Sequence, residues 1–198
     1  MSQDRTSSPA HSGSIHHPAR VAVVYESMFG NTRRVAEAIA EGVSETATVE
    51  VSAVQRVQPW PLEPDVIIVG APTHVHGLSR DSTRAEAVRW SEDPARHLAL
   101  DASAKGTGVR EWLLDGALPA SMFAAFDTRA DMPRIFTGSA AAAIDRQLRA
   151  HGLTRLAHPE SFVVDKDNEL EGGEVDRARE WGRQLGEMLA PLRAESEV

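Results

Sequence analysis

Three short segments hold the residue types and spacings that could do chemistry. The first, Glu26-Ser27-Met28-Phe29-Gly30-Asn31-Thr32, stands between a β-branched run and an amphipathic stretch. Hydroxyls at Ser27 and Thr32, the amide of Asn31 and the conformational freedom of Gly30 suit a loop wrapped around an anion. Main-chain N–H groups and the positive end of the following helix would supply the attraction, so no lysine is needed. Arg33 and Arg34 fall in the first helical turn and are expected to face solvent. The second segment, Gly70-Ala71-Pro72-Thr73-His74-Val75-His76-Gly77, closes another apolar run, and the third, Phe126-Asp127-Thr128-Arg129, closes the run Met122–Phe126.

Several competing chemistries are absent. No strand is followed by G-x-G-x-x-G, and there is no G-x-x-x-x-G-K-[ST]. Gly106-Thr107-Gly108 after Lys105 has no strand before it and reads as loop glycines. A phosphoacceptor domain of this layout would want an acidic residue ending its third strand, where Gly70-Ala71-Pro72 stands. A serine hydrolase would want a G-x-S-x-G elbow. His74 and His76, two apart on an extended segment, would project to one side and could ligate a metal. Without cysteine or an evident third ligand, they read better as loop histidines, so no metal site is assigned.

Composition narrows the function further. The 198 residues carry 21 Lys+Arg against 29 Asp+Glu, a formal charge of −8. An acidic chain is a poor partner for nucleic acid or anionic membrane surfaces, which need clustered cations. It leaves small molecules and basic proteins as ligands. Cysteine is absent, which removes disulfides, thiolate nucleophiles and cysteine-held metal clusters and fits a cytoplasmic location. No run of ~18 or more apolar residues exists to span a bilayer. Residues 1–19 are polar and Ser/His/Pro-rich, predicting a disordered tail without the apolar core of a signal peptide. Residues 20–193 form one domain.

These segments need elements to position them. Val21–Tyr25 and Val66–Gly70 are unbroken apolar runs, the pattern of strands covered on both faces. Thr48–Val54 alternates, as an edge strand does. Met122–Phe126 and Phe162–Val164 complete five strands. Helices are predicted at Asn31–Val43, Ser82–Trp90, Val109–Leu114, Ala140–Ala150 and Val175–Leu192, the last with Ala178, Trp181, Leu185, Met188, Leu189 and Leu192 on one stripe. Strands alternating with helices imply an α/β fold with a doubly wound five-stranded parallel sheet. With the most apolar strands central, the order is 2-1-3-4-5, and ligands bind at the carboxyl ends of the strands. Trp90, Trp112 and Trp181 are expected to pack in the core or in a groove and not to stack on a ligand, and Trp60 to be an exposed anchor among prolines. The acidic stretch Asp165–Glu174 reads as a solvated loop, or as a negative docking face for a basic redox partner.

The stretch Val23-Val24-Tyr25-Glu26-Ser27-Met28-Phe29-Gly30-Asn31-Thr32 with Val35-Ala36-Glu37-Ala38-Ile39 resembles the signature of the flavodoxin-like family, whose members bind the phosphate of FMN with this loop. The resemblance in layout covers about Val21 to Leu192, with motif-level identity confined to the loops. It implies FMN as cofactor and Ser27, Met28, Phe29, Gly30, Asn31 and Thr32 as its phosphate loop. It further implies that Pro72, Thr73, His74, Val75, His76 and Gly77 run along one edge of the flavin ring. Here His stands where the family commonly has an aromatic, and an imidazole with a pKa near ~6.5 could stack and donate a proton near neutral pH. By the same resemblance Asp127, Thr128 and Arg129 would meet the pyrimidine end, though the usual stacking Tyr is missing. Losing that clamp and gaining Arg129 would favour reduced anionic flavin and raise the potential. Three functions stay open: electron transfer between redox partners, FMN-dependent NAD(P)H reduction of a quinone or porphyrinogen-type substrate, and a domain that kept the fold without the cofactor.

Overall fold

A strand with no polar interruption needs partners on both edges and cover on both faces, and β1 (Arg20–Tyr25) has all four. It pairs in parallel with β2 (Thr48–Ala53) on one side and β3 (Val66–Pro72) on the other. Next to β3 lies β4 (Met122–Ala130). The fifth position is filled by two short strands in series, β5 (Thr154–Arg155) against Met122 and Phe123, and β6 (Glu160–Val164) against Phe126 to Ala130. This computed structural model describes residues 18–57, 60, 63–74, 77–116, 118–133 and 137–195. Of the predicted tail, residues 1–17 lie outside that set, while the Ala19 carbonyl accepts the Thr48 amide at 2.9 Å and extends the β1–β2 ladder.

The strand order 2-1-3-4-5 is the predicted one. Val21, Val23 and Tyr25 point to the face covered by α1 (Asn31–Val43) and the carboxy-terminal helix. Ala22 and Val24 point to the other, covered by α3 (Val109–Asp115) and α4 (Ala140–Ala150). Against α1 packs α5 (Glu174–Glu195), and here backbone meets backbone: a Cβ on Gly182 would overlap the Ile39 carbonyl, and one on Gly42 the Arg179 carbonyl. Glycine is used for that close approach.

The remaining helix, α2 (Asp81–Ser91), buries only Arg84 and Ala87, and Ala87 packs with Met28 and Ala104. It therefore sits over the carboxyl end of β1 and not under the sheet. That placement carries Trp90 toward the loops. Trp112 is buried, and Trp181 lies edge-on to Phe126 and Phe162 at 6.5 and 6.2 Å. Trp60 is no exposed anchor: it is half-buried, 6.4 Å from Trp112. Met188, placed on the buried stripe by its spacing, is 45% exposed; the Leu192 side chain is outside the described set. Among the described residues no helix is long and apolar enough to cross a membrane.

Candidate functional site

The chain leaves β1 through Glu26 and Ser27, both fully buried, and re-enters regular structure at Asn31. Gly30 makes the turn possible with φ of 93°, in the left-handed region that side chains resist. The Ser27 hydroxyl accepts the Gly30 amide at 3.1 Å. No side chain caps α1, so the amides of its first turn point outward with the positive end of the helix behind them. The Thr32 and Thr128 hydroxyls bond each other at 2.7 Å, and the Asn31 amide donates to the Asn168 carbonyl at 2.7 Å.

These groups line a cavity of about 350 Å³ at the carboxyl edge of the sheet. Of the residues picked out in the sequence, Ser27, Met28, Phe29, Asn31, Thr32, Pro72, Thr73, His74, Thr128 and Arg129 face it. Gly30, Gly77 and Asp127 do not, and Val75 and His76 lie outside the described residues. The volume falls within the ~300–1,000 Å³ typical of small-molecule sites.

The second loop is pinned at its start. The Thr73 amide donates to the Thr128 carbonyl at 2.8 Å, and His74 and Gly77 exchange main-chain bonds of 2.8 and 2.9 Å in a tight reversal. The His74 ring is half-buried, and its Nε2 is shut off from solvent with no partner among the described residues. Loss of solvation pushes its pKa below the ordinary 6.5, with Glu86 opposing and Arg84 adding. The shift favours the neutral imidazole, which weakens the expectation of a proton donor there.

A second correction concerns Asp127, Thr128 and Arg129. They form no turn after Phe126, because β4 runs on to Ala130, held by Pro72 on one side and Val164 on the other. Asp127 Oδ2 accepts from Thr73 Oγ1 at 3.1 Å, Ser139 Oγ at 2.7 Å and the Ala141 amide at 2.9 Å. It anchors α4 and the second loop from behind and does not line the cavity. The Arg129 guanidinium donates to the Met132 carbonyl at 2.6 Å, while its Nε stays buried without a partner among the described residues.

Trp90, Lys166 and Asn168, outside the three motifs, also line the cavity. Trp90, expected to pack in the core or in a groove, faces the cavity. Lys166 and Asn168 arrive on a tight turn after β6, where Asp165 Oδ1 accepts the Asp167 and Glu169 amides, each at 2.9 Å. The acidic stretch is thus a wall of the site, tied to the first loop through Asn31 and by Arg34 to Glu169 at 3.3 Å. A lysine stands at the cavity after all. Glu26, next to the loop, accepts from the Ser79 hydroxyl and from the Val109 amide at 2.8 Å. Burial pushes its carboxyl pKa up, against those two bonds and Arg84. It locks the first loop to the start of α3. Its position inside the first motif was the available signal; for Trp90, on a weakly amphipathic helix, there was none.

A family model described as Flavodoxin matches residues 23–187. No curated protein matches the sequence. Oxidised flavodoxin 1 from Bacillus cereus superposes with a TM-score of 0.58 at 18% identity, over 85% of this chain and 98% of that one. A WrbA-like flavodoxin from Agrobacterium tumefaciens gives 0.52 at 18% identity, over 85% and 96%. The rubredoxin oxygen:oxidoreductase of Desulfovibrio gigas gives 0.51 at 17% identity, over 88% of this chain and 38% of that one. At such identities the structural likeness concerns the fold.

Proposed function

The chain belongs to the flavodoxin family, and on that premise we propose that its cavity binds FMN and that the protein carries electrons between redox partners. The observation that bears most weight is the uncapped start of α1, with the buried Ser27 and Thr32 hydroxyls beside it at one end of the cavity. A helix start without a capping side chain is a ready anion site. The Thr32 hydroxyl, now shared with Thr128, can turn to a phosphoryl oxygen. Met28, Phe29 and Trp90 give the apolar walls a flavin ring requires. His74 Nε2 and Arg129 Nε, both without partners among the described residues, are polar groups that a ring edge would satisfy.

FMN, when bound, supplies one- and two-electron chemistry; the chain supplies the rest. First-turn amides and hydroxyls fix the phosphate end. Arg129 places positive charge in the wall, which favours electron uptake, while the exposed Lys166 is paired with Asp167. Exposed Asp167, Glu169 and Glu171 beside the cavity, in a chain of net charge −8, suit a partner with a basic docking face.

An FMN-dependent reductase is the second reading. A groove of about 640 Å³ shares Phe29, Trp90, Lys166 and Asn168 with the cavity and leaves room for a second reactant. Reconstitution with FMN tests the first reading. Thr32→Ala and Gly30→Val should each weaken FMN by about 1 kcal/mol or more in a fluorescence-quenching titration. Unchanged affinity in both variants refutes the phosphate placement. Rapid bleaching of the bound flavin by NADPH alone would overturn the carrier role in favour of the reductase.

A further inference from the structure

The loop between β3 and α2 is held at both ends. Its start, Thr73, is tied to β4 through the Asp127 carboxylate at 3.1 Å and the Thr128 carbonyl at 2.8 Å. Its exit, Leu78-Ser79, is buried and fastened to α3, where Arg110 donates to the Ser79 carbonyl at 2.8 Å and to the Leu78 carbonyl at 2.5 Å. A further tie comes from Glu26, the residue before Ser27 in the first loop. Glu26 Oε1 accepts the Ser79 hydroxyl and Oε2 the Val109 amide at 2.8 Å. One fully buried carboxyl thus joins the first loop to the exit of the second and to the start of α3.

Burying a carboxyl is costly unless other groups compensate it. Here Arg84 of α2, 6% exposed, donates to the Ser79 hydroxyl at 2.9 Å and so continues the chain of bonds from Glu26. The same guanidinium pairs with Asp81 and, at 3.1 Å, with Glu111 of α3. Gly108 makes room for this cluster: a Cβ there would crowd the Arg84 guanidinium and stand 2.8 Å from Glu26 Oε2 and 3.0 Å from Glu111 Oε2. Its φ of −92° is open to any residue, so this glycine serves the cluster and not a backbone turn. A hydrocarbon side chain at position 26 could cover the same surface, but it could not tie Ser79 to Val109.

We propose that Glu26 is a positioning residue of the cofactor site, setting the spacing between the loop that takes the phosphate and the loop along the flavin ring; this rests on the FMN reading above. Glu26 does not line the cavity and acts through Ser79 and Val109. With the tie in place the two loops are held as one unit, and a ligand that spans both does not have to order them. Without it, the exit of the second loop stays fastened to α3 by Arg110 but loses its link to the first.

Three variants test it. Glu26→Ala removes both bonds and should bind FMN about tenfold more weakly. Glu26→Gln keeps the shape: its Nε2 can donate to the Ser79 hydroxyl while its Oε1 accepts the Val109 amide, so affinity should stay within about threefold of the parent. Ser79→Ala removes the bond between the loops alone, and its effect on FMN affinity should vanish in the Glu26→Ala background. Hydrogen exchange of the flavin-free protein gives a readout that a general loss of stability would not. Peptides covering 26–33 and 77–83 should exchange about tenfold faster in Glu26→Ala and Ser79→Ala, and those covering 66–71 and 122–128 at the parent's rate. Where Glu26→Ala does not fold, Ser79→Ala, the milder change, carries both measurements. The proposal is overturned if exchange rises equally across the sheet, if both loops exchange at the parent's rate, or if Glu26→Gln binds FMN as weakly as Glu26→Ala. A parent protein that takes up no FMN would refute the function proposed above, while the exchange comparison would still decide whether Glu26 holds the two loops together.

Discussion

Replacing Asp127 with Ala separates a residue that holds the site from one that touches the ligand. Asp127 is fully buried, and its Oδ2 receives three hydrogen bonds, from Thr73, Ser139 and the Ala141 amide. Bonds to a charged group are worth about 1.5–3 kcal/mol each, so a bare sum would approach ~7 kcal/mol. Two effects reduce it. The Thr73 and Ser139 hydroxyls keep other bonds, accepting the Ala140 amide at 2.9 Å and the Ala142 amide at 3.0 Å. Removing the carboxylate also removes a buried oxygen, Oδ1, that has no partner among the described residues. What stays uncompensated is mainly the Ala141 amide and the favourable charge at the start of α4, so about 3 kcal/mol is expected. Asp127→Asn keeps an acceptor for the three donors and puts an NH2 where Oδ1 was, costing about 1 kcal/mol. Urea unfolding at pH 7, followed by circular dichroism, measures both. A cost below ~1 kcal/mol for Asp127→Ala, or equal costs for the two variants, would refute the anchoring role.

Other expectations can be checked with the same material. Gly182→Ala forces a methyl into the Ile39 carbonyl across the α1–α5 contact and should cost at least ~1–3 kcal/mol; a neutral result would show that the helices can part. His74 has its pKa lowered by burial, so on acidification the unfolded chain takes the proton first. Stability should therefore rise with pH from the folded value toward 6.5 and level off above it; an identical pH slope in His74→Gln would contradict this. Trp90→Ala should weaken FMN and lessen the quenching of its fluorescence, because an indole faces the cavity. Unaltered quenching would return Trp90 to a packing role.

The apolar runs at Val21–Tyr25 and Val66–Gly70 determined the central strands, because only strands covered on both faces read as continuous β-branched sequence. From them followed the sheet order, and the strand–loop–helix context put the Ser27–Thr32 loop between the carboxyl end of β1 and the start of α1. Local patterns sufficed there because the signal and the structure span the same few residues. They failed where polarity was mistaken for exposure. Asp127 and Thr128 look like a turn, yet they continue β4, because Thr73, Ser139 and the start of α4 satisfy Asp127 at a distance in sequence. The acidic stretch after β6 is exposed as its polarity implies, but its bonds from Asn168 to Asn31 and from Glu169 to Arg34 are announced by no local pattern. Trp90 lies on a helix with little amphipathic pattern, and its place at the cavity depends on Ala87 packing against Met28. Which loop chemistry is possible was written in the chain; which side chains converge to form the walls was decided by long-range packing, which leaves no period in sequence.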